Sequence, residues 1–508
     1  MGNSVENTFK NDAESVVRCS DSNVPGTRQI TKEDGTSDVV LVPQPSSDPN
    51  DPLNWSRGRK YWHMFVILFW CFIHRSIAWT SPAWATWVVD LNTTYTDLSN
   101  GEGILVFLCA FGCLVFQPYA LKYGRRLPYV VASAFVLVGL ALGLAMKSIA
   151  FFYAYTALSG FGSGPVVDIM FLHQRGTWLG IYCLVLLVGN FLPPVAAGYI
   201  VDSQGWQWCF KYLLVFMSLA TLLLVFGAEE TLYVRDREQE LASEQTAEQQ
   251  GSLETTAHHH IPTNHQKATY VQRMTLFRPD TRVRIGFWAF IISPFRLLLL
   301  PAIVWASVML SLLTFMTSVV FTTQARALGL MYFAVIIGMV FGTVLGGPFS
   351  DWIVLHLSRR NGGIMEPEYR LWAYLPVSFW AAALLILYGD GASYGVHWIV
   401  PCIGLTLIGL AMNAAAPVSM AYAFDCYNEL SGETVQLTNF LRNAIGGAMT
   451  FVIQPWVNHN GAQNTSITIA VLMFVLNLSS VIFQIWGKDM RIWTAGRYRR
   501  LVEKEVYY

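Results

Sequence analysis

Charge is scarce in this sequence. Asp, Glu, Lys and Arg make up 13% of its 508 residues, about half of the ~25% usual in soluble domains. The positive and negative groups balance to a formal net charge of zero, so no basic face is offered to nucleic acid and no acidic one to a cationic partner. Cysteines are few and scattered: Cys19, Cys71, Cys109, Cys113, Cys183, Cys209, Cys402 and Cys426, mostly inside apolar runs. They have neither metal-ligand spacing nor the pattern of a disulfide framework, and read as small buried hydrophobes. No HExxH, GxSxG or Walker-type run occurs, and His and Asp do not gather as a metal site. An enzyme, a metal centre and a cofactor are therefore all unsupported. The first 50 residues, rich in Ser, Asp, Thr and Pro, lack the apolar core of a signal peptide and read as a disordered cytosolic tail.

Apolar residues are abundant instead. Hydrophobic residues reach 54%, aromatics 14%, and the mean hydropathy is +0.40. The excess comes as runs near 20 residues, the length of a helix that crosses ~30 Å of hydrocarbon. Six lie at 61–82, 103–120, 128–147, 149–170, 178–200 and 209–227, and six more at 297–321, 328–347, 372–389, 395–418, 434–455 and 466–486. Unpaired backbone amides cost several kcal/mol in lipid, so every span is predicted to be helical. The polar stretch at 229–284 could not bury a core and reads as a linker, with His258, His259 and His260 as a solvated tract. The expected fold is an all-α membrane protein with twelve transmembrane helices in two six-helix bundles. Its parts are a tail (1–60), an N-terminal bundle (61–228), a linker (229–296), a C-terminal bundle (297–487) and a second tail (488–508).

Lys and Arg set the orientation. One alternating set of loops holds Lys122, Arg125 and Arg126, then Arg175, then Arg359, Arg360 and Arg370; the linker and the C-terminal residues Lys488, Arg491, Arg497, Arg499 and Arg500 fall on the same side. The opposite set has only Lys147, Lys211 and Arg326. Both termini are thus expected in the cytosol. Two sequons, at Asn92 and Asn464, fall in loops expected on the other side, where they could carry glycans.

Several motifs together resemble a fungal branch of the major facilitator superfamily, over residues 48–490. They are Asp51-Pro52-Leu53-Asn54-Trp55-Ser56 with Arg57 and Lys60; Lys122-Tyr123-Gly124-Arg125-Arg126; and Asp168 through Gly176. Glu229-Glu230-Thr231, Gly347 through Trp352, Arg359-Arg360-Asn361, Glu366-Pro367-Glu368, Asp425-Cys426-Tyr427 and Arg442-Asn443 follow. The branch is similar to drug:proton antiporters and includes exporters of secondary metabolites. The resemblance implies two bundles rocking around a central site, and export of a small amphipathic organic compound in exchange for protons. Proton-coupled uptake of a nutrient or organic cation is the alternative, and a transporter-like receptor is one from another class. The implied partners are the cargo, protons and the lipid bilayer, without nucleic acid, for a monomer in the plasma membrane (or a vacuolar or other endomembrane).

The motifs also have physical readings. Gly124, Arg125 and Arg126, with Lys122, make a tight basic turn that can bind carboxylates or helix ends on the cytosolic face as a conformational latch, or act simply as a positive anchor. The family's acid before that turn is replaced by Leu121. Asp351, with Arg359 and Arg360 beyond, resembles the equivalent turn of the second half, and Asp168 and Arg175 are further coupling candidates. Gly189, Pro193, Pro194 and Gly198 resemble a Gly- and Pro-rich motif of helix five; small residues permit close packing and prolines kink a helix. In helix four, Thr156 and Ser159 stand where proton-coupled relatives have Arg and Gln. The stretch from Gly162 to Asp168 is also shorter than the family's, which leaves open a different coupling or a segment missing from the gene model.

Ionisable groups inside spans are functional candidates by default. These are His74 and Arg75 in helix one and Arg442 in helix eleven. His74 could instead hydrogen-bond within the bundle, and Arg75 could snorkel to the interface. Arg442, about eight residues into its span, lies roughly 12 Å deep. Asn443 and Asn439 could order it, and Asp425 is its expected ionic partner. Trp79, Trp84, Trp305, Phe315 and Trp380 could stack on a planar cargo or serve belts and core.

Overall fold

The computed structural model describes residues 24–29, 55–163, 175–231, 269–276, 287–324, 331–374, 397 and 399–507. Among them, nine helices are long and apolar enough to cross a membrane. The end of the span read at 149–170, most of that at 372–389, and most of the linker lie outside the described residues, as do Asp168 and Trp380.

In the first half, α1 (Arg57–Arg75) passes through a 3-10 stretch (Ser76–Ala83) into α2 (Trp84–Asp90). Then come α3 (Tyr95–Tyr123), α4 (Arg126–Leu144), α5 (Ile149–Gly162), α6 (Arg175–Gln204) and α7 (Trp206–Gly227). In the second half α8 (Tyr270–Arg273) and α9 (Phe287–Ile292) are short. They precede α10 (Pro301–Gln324) and α11 (Met331–Val344). A π turn at Leu345–Phe349 joins α11 to α12 (Ser350–Arg360). Pro348 in that turn cannot donate a backbone hydrogen bond, which is the usual cause of such a bulge. Three long helices, α13 (Ile399–Cys426), α14 (Ser431–Asn460) and α15 (Ala462–Tyr507), finish the chain.

These helices are apolar nearly all round because each meets protein on one side and lipid on the other. Inward, Trp70, Trp87, Phe152 and Phe210 build the core of the first half, with rings meeting edge to face. Outward, Leu219, Leu222, Phe226, Ile337, Phe341 and Val475 are exposed, a surface suited to hydrocarbon. Across the halves α3 packs against α14: a side chain at Gly447 would come within 2.6 Å of the Phe107 backbone nitrogen.

The face carrying the ends of the chain is tied by charge. Glu230 accepts hydrogen bonds from the backbone N–H groups of Arg125 (3.0 Å) and Arg126 (3.1 Å). Glu229 pairs with Arg59 and Arg273. In the second half Arg370 bridges Asp351 and Asp425. Burial opposes the Arg370 guanidinium, yet Asp425 and Asp351 outweigh it and raise its pKa above the ordinary arginine value.

Three expectations are corrected here, and the reading of the second tail is refined. The first tail contains an ordered piece: β1 (Arg28–Gln29) pairs antiparallel with β2 (Ile364–Met365). The Pro25 carbonyl accepts from Arg491, and Thr27 Oγ1 donates to Glu366 at 3.1 Å. The second tail is helical, since α15 continues unbroken to Tyr507. Asp425 sits in the last turn of α13 rather than in a loop. Asn464 is on α15, with its side-chain amide bonded to the Asn460 carbonyl at 3.1 Å; only Asn92, exposed and at φ 47°, keeps a turn.

The charge asymmetry gives a direct expectation for topology. An epitope inserted beside Asn92 should label from outside intact cells, and one within 232–268 only after permeabilisation. Labelling of both from one side would overturn the twelve-helix reading.

Candidate functional site

A cavity of about 170 Å³ lies between the two halves. From the first half His74, Arg75, Glu102, Leu105 and Asn190 reach it; from the second, Leu313, Thr317, Met412, Arg442 and Asn443.

Its charged residues are placed by local irregularities. After Arg75, α1 gives way to 3-10 geometry, which frees backbone groups. Ser76 Oγ bonds back to the Phe72 carbonyl at 2.9 Å and Tyr155 Oη donates to the Ile77 carbonyl at 3.0 Å, so the break is satisfied by a side chain of its own and by one from α5. Behind Arg75, a Cβ at Gly189 would approach the arginine's own Cβ to 2.9 Å. The missing side chain lets α6 press on α1 at the root of that arginine. His74 is buried beside Trp70, with ring centroids 4.8 Å apart.

Glu102 is the site residue absent from the sequence reading. α3 starts at Tyr95 behind a capping box in which Thr94 and Asp97 satisfy each other's backbone, so Glu102 lies about 10 Å along the helix at 1.5 Å per residue. Glycines flank it. A Cβ at Gly101 would strike the Phe152 ring at 2.1 Å, and one at Gly103 the Phe451 ring at 2.9 Å. The two rings thus pack tightly on the helix on either side of Glu102, which is 8% exposed and accepts from Thr80 Oγ1 at 2.6 Å. The span as read began at Gly103, one residue too late, although Thr94-x-x-Asp97 is itself a helix-start signal.

Arg442 is half-buried on α14, eleven residues past Ser431 and so about 16 Å along the helix. Its expected partner is elsewhere: Asp425 is held by Arg370. Asn443 donates to Cys113 Sγ at 3.8 Å, and among the described residues Asn439 has no partner for either side-chain polar atom. Neither Asn439 nor Asn443 is bonded to Arg442.

Other candidates lie outside the cavity. Asp351 is in the first turn of α12 against Arg370, and Arg175 opens α6. Gly124 stands at φ 116° after α3, and the Lys122 ammonium lies 5.5 Å from the Tyr123 ring centre. Arg126 donates to the carbonyls of Val225 and Met274. Helix α6 runs on through Pro193 and Pro194, and among the described residues nothing lies within 4 Å of where a Gly198 Cβ would stand. The stacking reading of the aromatics fails for the described ones: Trp79 and Trp84 fill the core of the first half, and Trp305 and Phe315 fill clusters of the second.

Contacts between the halves bracket the cavity. On the side of the α2–α3 turn, Ser81 Oγ meets Tyr332 Oη at 2.9 Å and Asn458 Nδ2 meets Thr96 Oγ1 at 3.4 Å. Toward the opposite face, Gln117 Nε2 donates to the Gly432 carbonyl at 3.3 Å.

Residues 64–451 match the family model described as Major Facilitator Superfamily. An uncharacterized MFS-type transporter of Schizosaccharomyces pombe is 29% identical, over 92% of this chain and 90% of its own. Protein HOL1 of Saccharomyces cerevisiae is 26% identical over 92% of each. A probable efflux pump of Aspergillus flavus is 25% identical over 81% of this chain and 98% of its own. Among solved structures, the proton:xylose symporter XylE superposes with a TM-score of 0.55 at 14% identity, covering 84% of this chain and 96% of that one.

Proposed function

Because the chain belongs to the major facilitator superfamily, we propose that it is a secondary transporter that moves a small amphipathic organic compound across a membrane, its movement coupled to protons through Glu102. The observation that carries this reading is the cavity between the halves, with a buried carboxylate on one wall and apolar side chains around it. Rocking of the two bundles would open the Ser81–Tyr332 side or the Gln117–Gly432 side in turn, so that the cavity faces each side of the membrane alternately.

Two modes of coupling follow from one site. A cationic cargo competes with the proton for Glu102 and gives the antiport, with export, that the family resemblance implies; the name of the Aspergillus flavus relative supports that direction. An anionic cargo binds best when Glu102 carries the proton, so that both cross together. Arg75 and Arg442 on the cavity wall favour this second mode.

Purified protein in liposomes, offered labelled amphipathic cations, neutral compounds and anions under an imposed pH gradient, tests the reading. At least one class should accumulate, and a protonophore should stop it. Accumulation of none would remove the transporter reading, and accumulation insensitive to the protonophore would remove the coupling.

A further inference from the structure

Buried arginines in this protein are matched to acceptors wherever they serve structure. Arg126 donates to two carbonyls, Arg370 binds Asp351 and Asp425, and Arg491 binds Glu366 and Glu368. Arg75 and Arg442 break the pattern. Among the described residues neither makes a hydrogen bond or an ion pair, and the Nε of each is buried without a partner. The two reach the same cavity from opposite halves, close enough for their charges to act on each other. Glu102 lines that cavity too, but its hydrogen bond goes to Thr80 and not to either guanidinium. Two half-buried cations therefore face a space with one carboxylate that neutralises neither, an arrangement that is costly inside a span unless something else supplies the acceptor.

We infer that the cargo supplies it: the cavity takes an organic monocarboxylate whose carboxylate bridges Arg75 and Arg442 and whose apolar body lies against Leu105, Leu186, Leu313 and Met412. This rests on the transporter reading above and names its substrate class. Guanidinium groups match a carboxylate in charge and in planar, two-point geometry. An amine of the same shape meets two like charges, and a neutral amide leaves both guanidiniums without a counter-charge, which is how a site built for one polar partner rejects its analogue. The bridge also does mechanical work. Empty, the two arginines repel across the boundary between the halves; an anion between them turns that repulsion into attraction. Cargo thereby draws the bundles together, and a proton on Glu102 removes the one negative charge that competes with it.

The test uses the full chain, purified in detergent, and three probes that share one ring system: 1-naphthoate, 1-naphthamide and 1-naphthylmethylamine. Binding is read by calorimetry and by thermal stabilisation. Naphthoate should bind in preference to the other two. Arg75→Gln and Arg442→Gln should each weaken it by about tenfold or more, the size expected for one charge-assisted hydrogen-bonded contact. Arg75→Lys and Arg442→Lys, which keep the charge, should recover part of the loss, and they decide the matter if a Gln variant does not fold. Amide or amine binding as tightly as the acid overturns the inference. So does naphthoate binding unchanged in both Gln variants, and so does a failure of all three probes at millimolar concentration. Arginine-dependent, acid-selective binding without passage of the acid across reconstituted vesicles keeps the anion site and refutes the transporter reading. Passage of the amine in preference to the acid does the reverse.

Discussion

Glu102→Gln should abolish accumulation driven by a pH gradient, while exchange of cargo between compartments of equal pH continues. Gln keeps the size of the side chain and still offers a carbonyl oxygen to Thr80 Oγ1, 2.6 Å away in the wild type, so the packing of Phe152 and Phe451 over the flanking glycines need not change. What it cannot do is bind and release a proton. Carboxylates inside spans are costly and persist where they serve a path for ions or protons. Proteoliposomes report both quantities: gradient-driven uptake with a pH jump, and counterflow without one. Loss of both, with normal amounts of folded protein, would make Glu102 part of cargo binding alone. Retention of gradient-driven uptake at the wild-type level would remove it from the coupling altogether.

The largest effect on stability is expected at Arg491. Its side chain is 1% exposed and binds Glu368 through Nε (2.9 Å) and Nη2 (2.7 Å), and Glu366 through Nη2 (2.7 Å). Removing one member of a buried ionic cluster strands the others, which typically costs about 3–5 kcal/mol. Arg491→Met, similar in length but without charge, should therefore lower the melting temperature in detergent and the amount of protein reaching the membrane. The pH dependence has a definite sign. Burial raises the Glu368 pKa even beside Arg491, and without the arginine a proton becomes the substitute partner. A raised carboxyl contributes stability that is complete below the ordinary glutamate value of about 4.3 and disappears as pH climbs through the raised one. The deficit of Arg491→Met should accordingly be smallest near pH 4 and grow toward neutrality. A deficit independent of pH would mean that packing, not charge, is what Arg491 supplies.

The spans were legible because lipid imposes a local rule: about 20 apolar residues, helical, with positive loops on one side. The depth of Arg442 could be read in the same way. Partnerships could not. Asp425 is near Arg442 in sequence, yet α13 ends against the Pro367–Arg370 turn, and Arg370 takes the carboxylate. Nor does hydropathy separate an apolar side chain facing lipid from one facing the bundle core or the cavity, which is why the sequence leaves Trp79 and Trp305 open between cargo contact and core, where they lie. Glu102 was hidden for a related reason: a hydropathic span was taken to begin after its last charge, whereas the Thr94–Asp97 capping box starts the helix two turns earlier.

The β1–β2 pair also orders events during synthesis. Pro25 and Thr27 are made well before Arg491, which holds the Pro25 carbonyl and follows 466 residues later. At ~5–20 residues per second that interval is roughly 20–90 s, during which the Pro25 carbonyl lacks the guanidinium that holds it. A chain that stops short of α15 can still pair β1 with β2 but lacks the arginine that holds the Pro25 carbonyl. Full docking of residues 24–29 thus waits until Arg491 has been made, and its absence distinguishes chains truncated before α15 from chains that carry it.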